Sequence, residues 1–350
     1  MAGELKMQFL RQFIGITLAV MFLTSGCTSS DAQPSFVGAG ASFPGPVYRA
    51  WAAACSTSMN IDIRYEEVGS SEGIARIKSG AVDFGASDIP LGDEELKRHR
   101  LVQVPVLIGG VAIIMNLSGI KTGDLVFSDD ALADIFLGNI RKWSAPAIKK
   151  LNPEVRLPER PITIVHRSDG SGTTWLFTSY LNKVSDKWRA GPGGGARVEW
   201  PAGLGAERNA GVLRKVMETP GSIGYVEYTF AREAGISRAG LINASGNIAT
   251  PCIKSFSAAI SSVKTEAVKN STLDLLDQPG EGSWPITGAT YLLLREQTRK
   301  TAKTKALVRF LTWCYDEGGE IALRLHYIPL PDEWAEASIK TLRARLLPAS

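Results

Sequence analysis

The sequence predicts an α/β protein of two domains, with mainly parallel sheets and a ligand cleft between the domains. Strand-like segments alternate with helix-like segments along the chain, and 350 residues suit about two domains. Hydrophobic residues make up 44% of the chain and charged residues 21%, as in a soluble globular protein. A net charge of +4 without a basic block argues against nucleic acid as a partner.

The N-terminal residues have the layout of an export signal. The apolar run at 12–23 follows basic residues and is too short to span a membrane comfortably. The sequence "LTSGC" resembles a lipobox with Cys27 as the lipidated residue, and a plain cleaved signal is the alternative. We assign residues 1–27 to the signal and lipobox and 28–35 to a tether. The mature protein is therefore expected outside the cytoplasmic membrane, in the periplasm, with a lipid at Cys27 as its one membrane anchor.

The elements follow from local patterns. Pro residues near the first turn favour a helix at 43–55, Gly80 ends a helix that starts at 70, and an Asp/Ser start favours a helix at 128–140. Further helices are expected after "GSGTT" and at 304–316, the latter packing back on the first domain. Strands are predicted at 35–40, 61–69, 81–88, 101–116, 161–170 and 284–294.

Three segments share the order strand, small-residue turn, helix N-terminus: "GAGASF" (38–43), "VGSSEG" (68–73) and "RSDGSGTT" (167–174). Helix N-termini offer unpaired N–H groups and a partial positive charge, so they bind anions. Such turns also cap helices without any ligand, which leaves each one ambiguous by itself. Three together, beside an arginine, predict an anion site at the ends of the strands.

Three charged residues give this site its chemistry. The planar fork of Arg167 suits a tetrahedral oxyanion, and Asp169 can pair with it. Asp88 ends a strand, where a carboxylate would repel an anion unless the ligand carries a proton, as hydrogen phosphate does and sulfate does not. The alternatives are a surface role for Arg167 and a capping role for Asp88.

The sequence gives little support for a catalytic site, a cofactor site or a metal site. Ser171 would need a general base to act as a nucleophile, and the spacing of "DGSGT" differs from a nucleophile elbow. The histidines are scattered, and the cysteines have no metal-ligand spacing. Cys55, Cys252 and Cys314 could form one disulfide in an exported chain, or remain small buried residues. We predict no catalytic residue, no cofactor and no metal.

From Phe36 to Asp332 the chain resembles the phosphate-binding proteins of bacterial ABC phosphate importers, the PstS family. The resemblance is carried by "GAGASFPGPVYRAW", "VGSSEGIARIKSGAVDFGASDIPL", "VPVLIGGVAIIMN", "IFLGNIRKW", "RSDGSGTTWLFTSYL", "WPAGLGAERNAGV", "PGSIGYVEY" and "WPIT". Glu72 departs from the family, which has Gly at that place, and we expect its side chain to point to solvent.

The resemblance implies a type II periplasmic binding protein fold, in which two lobes are joined by two crossing strands. Lobe I would comprise 36–114 and 286–350, and lobe II 115–285. The implied partners are inorganic phosphate and the importer's permease subunits, and the implied state is a monomer. The implied contacts are donors at Ser42, Phe43, Ser70, Ser171, Gly172 and Thr173, an acceptor for the phosphate proton at Asp88, and Arg167 paired with Asp169.

Two other functions remain open at this point. A phosphatase or other phosphoryl enzyme on the same scaffold would need a metal cluster or an activated nucleophile. A binder of another tetrahedral oxyanion would use the same turns, but an acceptor-only anion such as sulfate would gain nothing from Asp88.

Overall fold

The computed structural model describes residues 33–263, 272–297, 299 and 301–347, and its elements alternate as the sequence predicts. The strands are β1 Ser35–Gly40, β2 Asp62–Glu67, β3 Phe84–Ser87, β4 Leu101–Met115, β5 Val126–Phe127, β6 Thr163–Arg167, β7 Leu204–Ala206, β8 Ser222–Glu227, β9 Ser237–Arg238, β10 Gly240–Ile242, β11 Ile248–Ala249, β12 Thr287–Arg295 and β13 Ile328–Pro329. The helices are α1 Gly45–Ser58, α2 Ser70–Ser79, α3 Asp93–His99, α4 Asp129–Phe136, α5 Pro146–Leu151, α6 Gly172–Val184, α7 Asp186–Ala190, α8 Arg208–Glu218, α9 Tyr228–Glu233, α10 Ile253–Ser261, α11 Ala302–Tyr315, α12 Gly318–Arg324 and α13 Asp332–Leu346.

The strands form two groups around β4. We call β1, β2, β3, β12 and Leu101–Gly110 of β4 the first half, and β6, β7, β8 and Val111–Met115 of β4 the second half. The turns and helices that directly follow these strands in the sequence are counted with the same half. In the first half β1 pairs in parallel with β2 and β3, and β12 pairs antiparallel with both β3 and β4. In the second half β6 pairs in parallel with β7 and β8, and β8 pairs antiparallel with β4. The sheets are therefore mixed, with parallel pairs outside and antiparallel pairs around β4.

Strand β4 connects the two halves. All its 15 residues are buried, which explains why its sequence is an unbroken apolar run rather than an alternating one. The chain returns to the first half just before β12, where the Val111 N–H donates to the Ile286 carbonyl at 2.8 Å. This arrangement confirms the predicted fold class of two α/β groups joined by crossing segments.

Helices from the beginning and the end of the chain pack against one another beside the sheet. Helix α1 buries Trp51, whose indole N–H donates to the Gly318 carbonyl at 2.8 Å, and Arg309 of α11 donates to the Met59 carbonyl at 2.7 Å. The C-terminal helices thus pack on the first half, as expected. Within the part of the chain described, no helix is both long and apolar enough to cross a bilayer.

Several predicted elements are longer than the observed ones, such as 161–170 against Thr163–Arg167 and 128–140 against Asp129–Phe136. Two other boundaries differ for local reasons. Helix α1 begins at Gly45 instead of residue 43 because Pro44 occupies the N-cap position. Strand β2 stops at Glu67 because Gly69 takes a φ of +89° and the N–H groups of Val68 and Gly69 both donate to the Gly40 carbonyl. That turn aims the first residues of α2 at the second half.

Candidate ligand-binding site

The predicted site residues meet where the two halves face each other. Their turns follow β1, β2, β3 and β6, and the carboxyl ends of neighbouring parallel strands lie at one edge of a sheet. Contacts join the turns directly, because the Ser71 N–H in the first half donates to the Gly170 carbonyl in the second half at 3.1 Å. The structure therefore brings together turns that lie about a hundred residues apart in the sequence.

Asp88 lies at the bottom of this contact region and is only 1% exposed. Its backbone N–H donates to Ser70 Oγ at 3.3 Å, while its Oδ1 has no hydrogen-bond partner among the described residues. Burial raises the pKa of Asp88 to about 7, although the hydroxyls of Thr290 and Ser70 and the charge of Arg167 oppose the rise. A buried carboxylate oxygen without a donor indicates that a ligand supplies the donor.

Arg167 is 3% exposed and forms a two-pronged pair with Asp169. Its Nε lies 2.6 Å from Asp169 Oδ1, its Nη2 lies 2.5 Å from Oδ2, and its Nη1 has no partner in the described part of the chain. Although burial raises the pKa of Asp169, the hydrogen bonds and charge of Arg167 hold it below its ordinary value. The pair fixes the guanidinium so that Nη1 is left to donate to a ligand.

Helix α6 supplies the other wall of the site. Ser171 is its N-cap, and its Oγ accepts from the Thr174 N–H at 3.0 Å. The backbone N–H groups at the start of a helix have no partner within the helix, and here they belong to Gly172 and Thr173. Ser171 is thus a cap on a helix whose N-terminus lies at the junction of the two halves.

Gly172 lies against the first half. A Cβ added there would be 2.4 Å from Asp88 Oδ2 and 2.5 Å from Ser70 Oγ, closer than atoms can approach. Only glycine allows the N-terminus of α6 to come this near to the carboxylate. The contact fixes the relative position of the three predicted residues Gly172, Asp88 and Ser70.

Ser42 and Phe43 complete the site from the turn after β1. Ser42 is 2% exposed, and its Oγ accepts from the Asn209 side chain at 3.1 Å. The same Asn209 amide donates to Thr173 Oγ1 at 3.3 Å, so Ser42 and Thr173 lie on either side of it. The Phe43 carbonyl accepts from the Tyr327 hydroxyl at 2.6 Å. All nine predicted residues are therefore in or beside one region, while Cys27 lies outside the described residues.

Sequence reasoning assigned no role to several residues that hold this region in place. Tyr225 accepts from the Arg167 N–H at 3.2 Å and shares a 2.7 Å hydrogen bond with Thr174 Oγ1. Its ring stacks on Phe177 and on Trp200, which in turn stacks on His166. Asn209 and Tyr225 occur in "WPAGLGAERNAGV" and "PGSIGYVEY", the motifs that carried the resemblance, which is the one signal that could have found them.

A buried carboxyl lies behind the site. Glu227 is fully buried at the end of β8, and its Oε2 lies 2.8 Å from the Tyr327 hydroxyl. The hydroxyl has one proton for two acceptors, and a proton on Glu227 allows the carboxyl to donate to Tyr327 while Tyr327 donates to the Phe43 carbonyl. Burial raises the pKa of Glu227 to about 8, in agreement with this proton. A neutral Glu227 therefore fixes Tyr327 and, through it, the Phe43 carbonyl.

Replacing Glu227 with Gln should stabilise the protein at alkaline pH. A carboxyl with a pKa raised on folding contributes stability that is full at low pH and is lost as the pH rises towards about 8. Gln keeps the shape without titrating, so the melting temperature of Glu227→Gln minus that of the wild type should be larger at pH 9 than at pH 5. The exposed Glu233→Gln serves as the control. A difference that is constant over this pH range would contradict the assignment.

The features considered for catalysis do not assemble at the site. His166 Nδ1 lies 3.0 Å from the Arg167 carbonyl and the ring stacks on Trp200, while Ser171 Oγ is occupied by the helix cap. No cluster of three metal-ligating side chains exists among the described residues.

Cys55 and Cys314 are buried and Cys252 is partly exposed, all as free thiols. Glu72 is exposed and pairs with Arg76, as expected for a side chain that points away from the site.

The fold and the site define a substrate-binding protein of the periplasmic class. Residues 26–317 match the PBP superfamily domain. The chain is 42% identical over 316 residues to the phosphate-binding protein PstS of Pasteurella multocida, which covers 90% of this chain and 91% of that protein. It is 44% identical over 294 residues to PstS of Xylella fastidiosa strain Temecula1, with 84% and 81% covered. The chain belongs to the PstS family of phosphate-binding proteins.

A solved structure supports the fold independently. The phosphate-bound structure of PfluDING, a high-affinity periplasmic phosphate-binding protein, superposes with a TM-score of 0.69. It is 23% identical in sequence, and the match covers 89% of this chain and 93% of that protein. The architecture is therefore the type II periplasmic binding protein fold that the resemblance implied.

Proposed function

We propose that this chain binds inorganic phosphate between its two halves and delivers it to the permease subunits of an ABC importer. The role involves no catalytic step, since the receptor only captures and releases its ligand. Family membership supports the role in transport, and the site's chemistry supports the ligand.

The observation that carries the proposal is that two buried atoms of this site, Asp88 Oδ1 and Arg167 Nη1, have no hydrogen-bond partner among the described residues. The first is an acceptor and the second a donor, so the ligand must both donate and accept. Hydrogen phosphate does both through its P–OH group and its other oxygens, whereas sulfate at neutral pH has only acceptors. A buried polar atom left unsatisfied costs about 1–3 kcal/mol, so the pair favours phosphate.

The remaining contacts are donors. In the proposed complex the hydroxyls of Ser42, Ser70, Ser171 and Thr173 and the backbone N–H groups of Phe43 and Gly172 surround the anion. The net charge of +4 is small for 350 residues, so these local groups rather than a global field hold the ligand. Asp169 belongs to the site as the partner that holds Arg167 and reduces its charge.

The division into lobes is part of the proposal. Lobe I comprises 36–114 and 286–350 and lobe II 115–285, which assigns the two halves to different lobes except for residues 111–114 of β4, which belong to lobe I. Binding would close the lobes on the anion, as the contacts from Ser71 to Gly170 and from Asn209 to Ser42 suggest. We propose that the protein acts as a monomer.

Family membership supports a periplasmic location, and the signal and the lipid anchor are further proposals. PstS proteins are periplasmic substrate-binding proteins, and this chain is one of them by sequence. We further propose that residues 1–27 are a signal with a lipobox and that a lipid on Cys27 anchors the mature protein through the tether at 28–35. Mass spectrometry of the mature N-terminus would identify the acylated cysteine, and an unmodified, shorter N-terminus would contradict the anchor.

Isothermal titration of the mature protein tests the ligand. Phosphate and arsenate, which both carry a proton near neutral pH, should bind, and sulfate should bind roughly tenfold to a hundredfold more weakly or not at all. Equal affinity for sulfate would contradict the proposed ligand. Turnover of a chromogenic phosphate ester by metal-free protein would instead favour the phosphoryl-enzyme alternative.

Replacing Gly172 with Ala should weaken phosphate binding. The added methyl would overlap Asp88 Oδ2 and Ser70 Oγ, so the two halves would have to separate. Overpacking of this kind costs about 1–3 kcal/mol, which corresponds to roughly a tenfold to hundredfold loss of affinity. Gly92→Ala is the control, because a Cβ there meets nothing within 4 Å. Titration of both variants checks the prediction, and equal affinities would remove Gly172 from the site.

A further inference from the structure

Asn209 connects three separate segments of the site. It is 0% exposed near the start of α8, and its Nδ2 lies 3.1 Å from Ser42 Oγ and 3.3 Å from Thr173 Oγ1. Its backbone N–H also donates to Ser42 Oγ at 3.3 Å. One amide side chain therefore contacts hydroxyls of both halves.

The orientation of the Asn209 amide follows from its third partner. Its Oδ1 lies 3.0 Å from the backbone nitrogen of Glu227, and that N–H can only donate. The oxygen of the amide must therefore face Glu227, and the NH₂ group must face the two hydroxyls. Asn209 consequently donates to Ser42 and Thr173 and accepts from neither.

The hydrogen bonds that Asn209 donates determine whether the Ser42 and Thr173 hydroxyls act as donors or acceptors towards a ligand. A hydroxyl has one proton and two lone pairs, and Ser42 Oγ accepts two hydrogen bonds from Asn209. Ser42 donates in none of the hydrogen bonds found among the described residues, so its proton is available to a ligand. The Thr173 hydroxyl accepts one bond from the same amide and is biased in the same direction.

The residue before Asn209 is in a strained conformation. Arg208 has a φ of +62°, in the left-handed region that costs a non-glycine residue about 1–2 kcal/mol. The backbone N–H of Arg208 donates to Asp169 Oδ1 at 3.2 Å, so the start of α8 is bonded to the carboxylate that holds Arg167. The strained turn thus places Asn209 relative to Arg167 and Asp169.

We propose that Asn209 is a positioning residue that sets the Ser42 and Thr173 hydroxyls as donors to the bound anion. This inference rests on the proposed function, since it specifies how that site meets its ligand. With both hydroxyls fixed as donors, they accept no proton from the ligand, and the ligand's proton is directed to Asp88. In this arrangement the hydroxyls donate to the anion, and Asp88 accepts the anion's proton.

Phosphate titration of Asn209→Ala in two backgrounds tests the proposal. In the wild-type background the variant should weaken binding roughly tenfold to a hundredfold, because two donor hydroxyls lose their orientation. In Ser42→Ala/Thr173→Ala protein the same change should cost less than about twofold, since the hydroxyls through which it acts are gone. The matched control is Asn116→Ala, which removes bonds to the carbonyls of Val216 and Met217 at the other end of α8.

Asn209→Asp keeps the volume and reverses the polarity. Its carboxylate would accept the Ser42 proton and withdraw it from the anion, so binding should be much weaker than in the wild type at pH 8 and should recover partly at pH 5. This variant decides the question if Asn209→Ala does not fold.

Three results overturn the inference. They are unchanged affinity in Asn209→Ala, a full loss that persists without the two hydroxyls, and a pH profile of Asn209→Asp parallel to that of the wild type. Wild-type protein that does not bind phosphate would reject the proposed function itself, whereas wild-type binding together with any of the three results rejects only the role of Asn209.

Discussion

Asp88→Asn is expected to remove most of the preference for phosphate over sulfate. The amide presents an NH₂ donor where the carboxylate presents an acceptor, so the P–OH of hydrogen phosphate loses its partner and a sulfate oxygen gains one. Phosphate loses one satisfied buried contact and sulfate gains one, so the ratio of phosphate affinity to sulfate affinity should fall by roughly tenfold to a hundredfold. Competition of both anions in one titration measures the ratio. An unchanged ratio would show that Asp88 does not receive the ligand's proton.

The same substitution is expected to stabilise the ligand-free protein at neutral and alkaline pH. Burial raises the pKa of Asp88 to about 7, so its favourable contribution is complete at low pH and is lost as the pH rises from about 4 to 7. Asparagine has no such penalty, and the gain in melting temperature should be larger at pH 8 than at pH 5. Asp93→Asn, on the exposed surface of α3, is the control. A gain that does not depend on pH would contradict the buried charge as its cause.

Arg167→Ala is expected to weaken phosphate binding by at least about a hundredfold. The side chain is 3% exposed, and its Nη1 is a buried donor that has no partner in the part of the chain that the structure describes. A hydrogen bond from a charged donor contributes about 1.5–3 kcal/mol, and the unpaired Asp169 carboxylate would then repel the anion as well. Lysine should not restore binding, because a single ammonium group cannot hold both oxygens of Asp169 and donate to the ligand.

Two further variants separate the effect on binding from an effect on folding. In Arg167→Ala/Asp169→Ala the unpaired carboxylate is removed, so the double variant should be more stable than Arg167→Ala but still bind weakly. Arg324→Ala, an exposed arginine on α12, is the control for loss of positive charge. Thermal unfolding and phosphate titration of the set check both quantities. Wild-type affinity in the double variant would place the anion elsewhere.

Local patterns were sufficient to predict the strand–turn–helix segments. The apolar run of β4, the glycine at the end of α2 and the serine that caps α6 each leave a signal within a few residues. The charges of Arg167 and Asp88 stood out because they follow strands, where ligands bind in this class of fold. Fold class and the charged part of the site were therefore within reach of the sequence.

The residues that organise the site could not be predicted in this way. Asn209, Tyr225 and Glu227 act through atoms that lie 18 to 167 positions away in the chain, and no local spacing encodes such contacts. An asparagine near a helix start, a tyrosine in a strand and a glutamate at a strand end have ordinary structural roles in most proteins. Their importance here follows from complete burial and from the groups they meet in three dimensions.

The place of β12 in the first half has a consequence for the order of assembly during synthesis. It lies between β3 and β4, yet it is made almost two hundred residues after them. Until it emerges from the ribosome, β3 and the first ten residues of β4 each lack a neighbour, and their edges stay unpaired. A nascent chain shorter than about 295 residues therefore cannot complete this sheet, and the late, long-range pairing makes folding slow. Slow closure keeps the chain unfolded for longer, which is the condition in which a polypeptide can be threaded through a translocation channel.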